Sequence, residues 1–482
     1  MNTEGGGDRL SNLSEDLIIK ILSYNDTKNA IKTSILSSRW KNTWKLIPHL
    51  DLSTDDVTSL TSFQKFTRVL SNRNDEIDLA SLKLSVRGGF RPAFLKTVVD
   101  HAFSNNSLKD LTLIGCARNY NQPKIKSSFD LPALTTLHLE NVILDNGNRD
   151  EDGGLLSKCL NLKNLTLLNC NIDYHYPFIS PSECFNLSNH INEIELSSVK
   201  LGVGRCRQAF LKTVVDYAFS NNVQKMTIIW LDDMHNEIPN FLFMSPSLKD
   251  LIFIGSVPYL SQPEIKSSFD LPALTTLYLE NVGLSNINTK NGGLFFKCLN
   301  LKNLNLFKCS INDHNNFISH SEFSNLTPEK GLYSFANVVA PHLKNLNVVD
   351  CQGRLQIYAP ELSSLMYEIP CYDTFFANGL SCLEKVDFYM CPFEEDGGAI
   401  IKILQQFRSV KYLTLGLEIV EVLELYVDIL CDLPSPFANL TSLKIFPRRY
   451  WGEMKVKISR QVFYVYFTML LPAFGKFIFT SF

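Results

Sequence analysis

The stretch Leu108–Cys116, LKDLTLIGC, decides the fold, because its spacing returns along much of the chain. Apolar residues occupy its first, fourth and sixth positions, and cysteine occupies the ninth. Further copies begin at Leu162, Leu301, Leu343 and Leu383. Two-residue alternation within a short apolar run is typical of a strand that buries one face. Each copy therefore predicts one short strand whose apolar side chains enter a shared core.

Copies of this phrase follow one another at a regular distance. Starts at residues 108, 134, 162 and 191 are separated by 26, 28 and 29 residues, and starts at 223, 248, 274 and 301 by 25, 26 and 27. That period is typical of leucine-rich repeats, in which each copy adds one strand to a stack. We predict an α/β solenoid over residues 51–448, with a curved parallel sheet and a helical or irregular convex side. Such an array favours a binding protein over an enzyme.

Two blocks of the array, about 93–170 and 209–309, are duplicates of each other. They share an almost unchanged run of fourteen residues, which is 93–106 in the first block and 209–222 in the second. The apolar residues of this run fall on one side at helical spacing, which predicts a helix before the next strand. Stacked repeats tolerate such copying because each unit contacts only its neighbours.

The residues that alternate with the buried leucines point away from the predicted core and would line the concave face of the array. As candidate contacts to a protein substrate we identify Thr112, His138, Thr166, Glu195, Trp230, Tyr278, Asn305 and Asp387. Trp230 stands out because aromatic side chains often anchor interfaces. Packing in the core or on a ridge is the alternative interpretation of Trp230.

Residues 8–50 lack the repeat phrase and predict helices instead. Ser14 is a suitable N-cap, and the apolar residues at 17, 18, 21 and 22 form a stripe at helical spacing. Thr27 can cap a second helix, and a third short helix carries Trp40 and Trp44. A module of about 43 residues is near the lower limit for independent stability, so a partner that covers its apolar surface would stabilise it.

This segment resembles the F-box of plant proteins in which an F-box precedes leucine-rich repeats, including the FBD-like subfamily. The resemblance rests on Leu10, Leu13, the run 15–22, Thr27-Lys28, Ala30, the stretch 33–37, Arg39-Trp40, Trp44, Pro48 and Leu50. It implies a small all-helical F-box at 8–50 that binds a Skp-type adaptor and, through it, a cullin-based (SCF-type) E3 ubiquitin ligase. The repeats would then hold an unknown target protein, and no cofactor or catalysis by the chain itself is implied.

The adaptor contacts implied by the resemblance are the apolar side chains of this segment. They are Leu10, Leu13, Leu17, Ile18, Ile21, Leu22, Ile31, Ile35, Leu36, Trp40 and Trp44. The chain departs from the F-box pattern at Ser14, at Asn25 and Asp26, and at Thr43, where the family usually has proline, leucine-proline and leucine. Loss of one buried leucine would cost about 1.5–3 kcal/mol of adaptor binding. The alternative function is therefore a repeat scaffold with a degenerate F-box and no ligase role.

The net charge and the first residues of the sequence bear on the class of partner and on the cellular compartment. A net charge of −3 gives no electrostatic indication of nucleic-acid binding. Residues 1–7 are polar and glycine-rich, and we expect them to be disordered. No apolar leader opens the sequence, so we expect a reducing compartment, cytoplasmic and/or nuclear, and cysteines that remain thiols. No catalytic constellation or metal-ligand spacing occurs.

The final segment, 449–482, breaks the repeat pattern. Residues 462–482 are apolar but contain Pro472, Gly475 and Lys476. The length would be adequate for a membrane span, but the interruptions argue against a membrane role. A capping strand or helix and an altered reading frame are the other interpretations, and the sequence leaves all three open.

Overall fold

The chain divides into two compact units, Met1–Gln224 and Lys225–Phe482. A computed structural model describes residues 12–36, 38–53, 78–86, 98–100, 106–116, 122–126, 129–145, 156, 159–173, 196–203, 208–231, 238–256, 262–285, 294–312, 336–353, 355–369, 375–378, 380–390, 397–433, 436–446 and 478–479. The predicted disordered segment 1–7 lies outside these residues, as does most of the predicted helix 93–106. The matching run in the second block is helical, as predicted.

The first unit begins with three short helices, α1 (Glu15–Ser23), α2 (Thr27–Lys32) and α3 (Trp40–Thr43), joined by 3₁₀ turns at Thr33–Ile35 and Trp44–Leu46. Their buried side chains form one apolar cluster of Ile18, Leu22, Ala30, Trp40, Trp44 and Ile47, with Leu13 and Ile31 packed against it. Two tryptophans supply much of the apolar area that this small module can bury. The module therefore has a hydrophobic core of its own.

Among the described residues of the first unit, nine strands and one long helix follow the helical module. They are β1 (His49–Ser53), β2 (Ser81–Ser85), β3 (Asp110–Ile114), β4 (Lys124–Lys126), β5 (Thr136–Glu140), β6 (Ile143–Asp145), β7 (Asn164–Leu168), β8 (Asn171–Asp173), β9 (Ser198–Val203) and α4 (Gln208–Ser220). Parallel pairing joins β1, β2, β3, β5, β7 and β9 in that order. The short strands β4, β6 and β8 form a second sheet.

The described residues of the second unit repeat this plan with sixteen strands. They are β10 (Lys225–Trp230), β11 (Asp250–Gly255), β12 (Glu264–Ile265), β13 (Thr276–Glu280), β14 (Gly283–Ser285), β15 (Asn303–Phe307), β16 (Ser310–Asn312), β17 (Ala336–Val339), β18 (Asn345–Val349), β19 (Leu355–Tyr358), β20 (Ser364–Ile369), β21 (Phe375–Asn378), β22 (Lys385–Met390), β23 (Tyr412–Gly416), β24 (Ser442–Phe446) and β25 (Ile478–Phe479). Helices α5 (Gly397–Leu404), α6 (Leu417–Glu424) and α7 (Val427–Asp432) lie near its carboxyl end.

Each unit is stabilised by apolar side chains that alternate along the strands and enter the core, as the repeat phrase predicts. In the second unit the parallel sheet runs β10-β11-β13-β15-β18-β20-β22-β23-β24-β25, and β12-β14-β16 and β17-β19-β21 form small lateral sheets. Register places equivalent leucines side by side, for example Leu277 beside Leu304 and Leu304 beside Leu346. These side chains are fully buried. We call the buried apolar residues of one repeat strand a rung. Burial of one leucine contributes about 1.5–3 kcal/mol, so neighbouring rungs stabilise one another. The α/β repeat fold is thus confirmed.

An aromatic stack runs through the core of the second unit. The Phe243 and Phe269 ring centroids are 4.7 Å apart, and those of Phe269 and Phe295 are 5.2 Å apart. Phe253 lies 5.9 Å from Phe243. Such aromatic pairs contribute about 0.5–1.5 kcal/mol beyond the area that they bury. The phenylalanines therefore link successive repeats below the leucine rungs.

A left-handed residue turns the chain at the end of many strands. Asn141, Asn169, Asn281, Lys308 and Asp350 each follow a strand of a main sheet and have φ between 50° and 54°. Asparagine tolerates this conformation better than most residues because its short polar side chain can form local hydrogen bonds. The repeated turn sends the chain from the main sheet into the lateral strands.

The structure contains rungs that the sequence analysis missed. They are Ile47, Leu50 and Leu52 with β1; Leu79, Leu82 and Leu84 with β2; and Leu362, Leu365 and Tyr367 with β20. All have the same one-four-six spacing. The first rung lies at the end of the segment assigned to the F-box, so β1 begins at His49 rather than after residue 50.

The repeat phrase predicted to begin at residue 191 was placed in the wrong frame, five residues too early. The strand β9 covers Ser198–Val203, and Leu196, Val199 and Leu201 are its buried positions. Ile191, Ile194 and Leu196 have the same spacing, so the sequence permits two frames. Pairing of Leu165 with Val199 selects the later one.

Of the predicted segment 449–482, the structure describes only Ile478–Phe479, which pair in parallel with β24. The helices described here include none that is both long and apolar enough to cross a membrane.

Candidate functional site

Helix α1 carries apolar side chains on two faces. Ile18 and Leu22 are buried in the helical core, whereas Leu17 is 49% exposed and Ile21 is 41% exposed. Tyr24, one turn further on, is 82% exposed. Residues three or four apart lie on the same side of a helix, so Leu17, Ile21 and Tyr24 form an outward stripe.

A second group of exposed aliphatic side chains follows α2. Ile35 is 89% exposed and Leu36 is 51% exposed, at the end of the 3₁₀ turn. Single exposed apolar residues are ordinary, but several within one small module indicate a site for a protein partner. We call Leu17, Ile21, Tyr24, Ile35 and Leu36 the amino-terminal apolar surface.

Six of the remaining residues that the sequence assigned to adaptor contact belong to the core or its edge. Ile18, Leu22, Trp40 and Trp44 are at most 5% exposed, so their assignment as surface contacts was wrong. Leu13 and Ile31 are half-buried and pack against the same cluster. A small module must bury its largest apolar groups to fold at all, which explains the outcome. Leu10 lies outside the described residues.

Polar side chains cap the helices at two of the departures from the F-box pattern. The Ser14 hydroxyl accepts from the Leu17 N–H at 3.4 Å at the start of α1. The Asp26 carboxylate accepts from the Asn29 N–H at 2.6 Å and from Asn29 Nδ2 at 2.9 Å. Asp26, not the predicted Thr27, is therefore the N-cap of α2. An N-cap of this kind contributes about 0.5–2 kcal/mol.

The other two departures are also accommodated by local hydrogen bonds. Asn25 is exposed, and its Nδ2 donates to the Ile21 carbonyl at 3.1 Å. Thr43 is buried, and its hydroxyl donates to the Arg39 carbonyl at 2.6 Å. None of these polar groups is left unpaired in the core. The helical module consequently retains its fold despite the unusual residues.

A buried threonine joins the helical module to the first repeat strand. The Asp51 N–H, in β1, donates to the Thr27 hydroxyl at 2.9 Å, and Thr27 is only 5% exposed. Since a buried hydrogen-bonded pair resists solvent competition, this contact fixes the start of α2 against the sheet.

Most of the sheet residues predicted to face outward are half-buried on the outer side of their strands. In the first unit Thr112, His138 and Thr166 are neighbours in one row. Tyr278 and Asn305 are neighbours in the second unit, and Asp387 lies on β22. Glu195 lies outside the described residues, and Lys200 occupies the corresponding position of β9.

Trp230 does not face outward, so the prediction for this residue was wrong. It is 3% exposed, and its ring stacks on Phe253 at a centroid distance of 6.2 Å. The strand β10 extends to residue 230, and Met226, Ile228 and Trp230 alternate on its inner side. Trp230 continues the buried series and is a core residue.

Hydrogen bonds hold several outer-face side chains in place. Asn347 Nδ2 donates to Asn305 Oδ1 at 2.6 Å, so the two amides are aligned across neighbouring strands. The Tyr278 hydroxyl donates to Glu280 Oε2 at 2.9 Å. Partial burial and this hydrogen bond to a carboxylate raise the pKa of Tyr278 to about 12. This part of the face is therefore an ordered polar surface.

A concavity of about 590 Å³ lies on the outer face of the second unit, across β20, β22, β23 and β24. It is lined by Met366, Lys385, Asp387, Tyr389, Tyr412, Leu413, Thr414, Ser442, Lys444 and Phe446. Pockets that bind ligands commonly have volumes of about 300–1,000 Å³. Asp387 is the one sequence-predicted contact that lies in this concavity. Met366 was missed because β20 was not recognised, and the remaining lining residues were not among the candidate contacts.

The described residues contain no cluster of three or more histidine, cysteine, aspartate or glutamate side chains that could hold a metal ion. The geometry instead presents two surfaces suited to macromolecular partners: the amino-terminal apolar surface and the outer face of the repeat sheet.

Part of the chain is similar in sequence to known F-box proteins. Residues 10–50 match the F-box domain. The FBD-associated F-box protein At3g52670 of Arabidopsis thaliana is 31% identical over 192 residues, covering 33% of this chain and 43% of that protein. The Arabidopsis F-box protein At1g60400 is 32% identical over 195 residues, covering 35% of this chain and 48% of that protein.

A third relative, the Arabidopsis F-box/FBD/LRR-repeat protein At5g53840, is 48% identical over 59 residues, which are 12% of this chain and 13% of that protein. The matched regions thus span less than half the length of these curated relatives. A crystal structure of a TLR13–ssRNA13 complex aligns with 84% of this chain and 70% of that chain at 14% identity, with a TM-score of 0.22, which is too low to carry an argument.

Residues 10–50 thus match an F-box domain, and parallel leucine-rich-repeat sheets follow it. Over part of its length the chain is similar to Arabidopsis F-box proteins of the FBD-associated and F-box/FBD/LRR-repeat kinds.

Proposed function

We propose that this chain is the substrate-recognition subunit of a cullin-based (SCF-type) E3 ubiquitin ligase. The amino-terminal apolar surface binds a Skp-type adaptor, which connects the chain to a cullin. The outer face of the repeat sheets binds a target protein. The chain itself performs selection, and the ubiquitin transfer is carried out by enzymes that the ligase recruits.

One observation carries the proposal: five large apolar side chains lie exposed on an F-box module whose own core is already complete. Ile35 at 89% exposure and Leu17 at 49% exposure contribute nothing to that core. Burial of a leucine or isoleucine against a partner gains about 1.5–3 kcal/mol. Two such side chains supply enough free energy to change a dissociation constant by about a hundredfold or more.

The four residues that depart from the F-box pattern form local hydrogen bonds that are compatible with the helical fold of the module. Ser14 and Asp26 act as helix caps, and Asn25 and Thr43 bond to helix carbonyls. The missing leucine at Asn25 would reduce adaptor affinity only if the adaptor reaches that position. A protein of this class acts in the cytoplasm and/or nucleus, where ubiquitin ligases of this type operate, and we include that localisation in the proposal.

A co-purification experiment with the full chain tests adaptor binding. Leu17→Glu places a charge on the amino-terminal apolar surface and should weaken binding of a purified Skp-type adaptor about 10- to 100-fold. Leu160→Glu is the matched control, because Leu160 is 46% exposed and lies outside the helical module. The control should bind the adaptor as the unmodified chain does.

Failure of the unmodified, folded chain to bind the adaptor at micromolar concentration would leave the alternative. The protein would then be a repeat scaffold with a degenerate F-box. Equal binding by the Leu17→Glu variant and the unmodified chain would contradict the assigned surface, though not ligase membership.

A further inference from the structure

The concavity across β20, β22, β23 and β24 differs from the rest of the outer face in its side chains. Two tyrosines, Phe446 and Met366 contribute apolar lining, and the polar groups converge between them. Tyr412 is 53% exposed, so the concavity is open to solvent. Tyrosine, phenylalanine and methionine are enriched in protein-binding sites.

One row of aligned residues crosses the floor of this concavity. Strand pairing places Met366 beside Asp387, Asp387 beside Thr414, and Thr414 beside Lys444. Neighbouring strands are about 4.8 Å apart, so the row is roughly 14 Å long. An extended peptide advances about 3.3–3.6 Å per residue, and about four residues would fill the row.

The charges of the concavity do not balance. Lys385 Nζ lies 3.0 Å from Asp387 Oδ2, so these two side chains neutralise each other. Lys444 is exposed and has no ion-pair partner among the described residues. One ammonium group therefore stays available at the β24 end, beside aromatic side chains. A negatively charged group of a ligand would complement it.

We propose that this concavity binds an extended peptide segment of the target protein, in which an acidic side chain lies next to an aromatic or aliphatic one. The acidic group pairs with Lys444, and the apolar side chain packs against Tyr412 on the neighbouring strand. The proposal rests on the proposed function, since it specifies the segment by which the repeats select a target. Further along the same face, Glu280 and Glu368 disfavour an acidic segment.

Panning of a phage-displayed library of random dodecapeptides against the full chain tests the proposal. Enriched peptides should contain aspartate or glutamate within two positions of an aromatic or aliphatic residue. An enriched peptide, fluorescently labelled, should bind at least tenfold more weakly to Lys444→Glu. Lys249→Glu is the matched control, because Lys249 is an exposed lysine of the same unit outside the concavity. That control should bind the peptide with unchanged affinity.

A second variant separates loss of binding from loss of folding. Tyr412→Ala removes an exposed ring, should keep the melting temperature of the unmodified chain, and should weaken peptide binding about fivefold or more. Enrichment without acidic residues, unchanged binding by Lys444→Glu, or equal weakening by Lys249→Glu would overturn the proposal. Adaptor co-purification is measured on the same variants. Loss of adaptor binding with retained peptide binding contradicts only the ligase function, and the reverse result contradicts only the peptide site.

Discussion

Asn169 Nδ2 donates a hydrogen bond to Asn141 Oδ1 at 2.7 Å, and this contact joins the ends of two successive repeat strands. Asn141 Nδ2 donates in turn to the Gly115 carbonyl at 3.2 Å. The three residues follow β3, β5 and β7, so the amides form a ladder across three rungs. Since Asn141 is only 6% exposed, water cannot easily replace its bonds.

Asn141→Ala should therefore destabilise the first unit by about 2–5 kcal/mol, the sum of two lost hydrogen bonds and the cost of a left-handed alanine. Hydrogen exchange of the β5 and β7 amides measures the change. Asn222→Ala is the control for the backbone cost alone, because Asn222 has φ 53° but is exposed. Equal destabilisation by the two variants would show that the ladder contributes nothing.

Two glycines should respond in opposite directions to alanine. A Cβ at Gly255 would lie 2.2 Å from the Asn281 carbonyl oxygen, a backbone atom that cannot move alone. Gly255→Ala should cost about 1–3 kcal/mol of unfolding free energy. A Cβ at Gly398, in α5, meets nothing within 4 Å, so Gly398→Ala should stabilise by about 0.5–1 kcal/mol. Denaturant unfolding measures both, and destabilisation at Gly398 would contradict the prediction.

The cap at Asp26 can be tested without disturbing the core. Asp26→Ala removes the acceptor for the Asn29 N–H and should destabilise the helical module by about 0.5–2 kcal/mol. Asp26→Asn keeps a side-chain oxygen at the cap and should cost only a few tenths of a kcal/mol. Limited proteolysis within α2 reports the difference. Identical cleavage rates for the two variants would argue against a capping role.

The duplicated cysteines Cys159 and Cys298 should be unreactive in the folded protein. Burial raises the pKa of each thiol to about 12, although a backbone hydrogen bond partly offsets it. Iodoacetamide at pH 8 should modify the exposed Cys382 rapidly and these two only after unfolding. Comparable modification rates in the native protein would be inconsistent with the buried positions.

The same thiols give a pH dependence of stability. The folded-state pKa of each thiol lies above the ordinary value of 9.0. The contribution of the two thiols to the free energy of unfolding is therefore fully present below about pH 9. It is lost as the pH rises toward 12. Cys298→Ala should reduce the slope of unfolding free energy against pH in that window, and an unchanged slope would contradict the assignment.

Leucine spacing predicted most strands because burial of one strand face imposes a two-residue period directly on the sequence. The rung of Leu79, Leu82 and Leu84 has that same period and was detectable. The rung at Leu362 and Leu365 was harder to recognise because its third buried position is Tyr367. Spacing alone cannot choose between overlapping frames, and at β9 only pairing with the neighbouring strand decides.

The outward or inward direction of particular side chains depended on packing that one sequence does not specify. Trp230 became a core residue because β10 continues two residues beyond Ile228. In the helical module, Trp40 and Ile35 are equally apolar in the sequence, yet one is 2% and the other 89% exposed. Only the arrangement of the three helices determines which of them is available to a partner.

The most direct test of the account is a calorimetric titration of the full chain with a purified Skp-type adaptor. We expect one-to-one binding at micromolar concentration or tighter, weakened at least tenfold by Ile35→Glu and unaffected by Leu299→Glu, a control leucine that is 57% exposed. No heat of binding from the folded, unmodified chain would contradict the assignment of the amino-terminal apolar surface as an adaptor site.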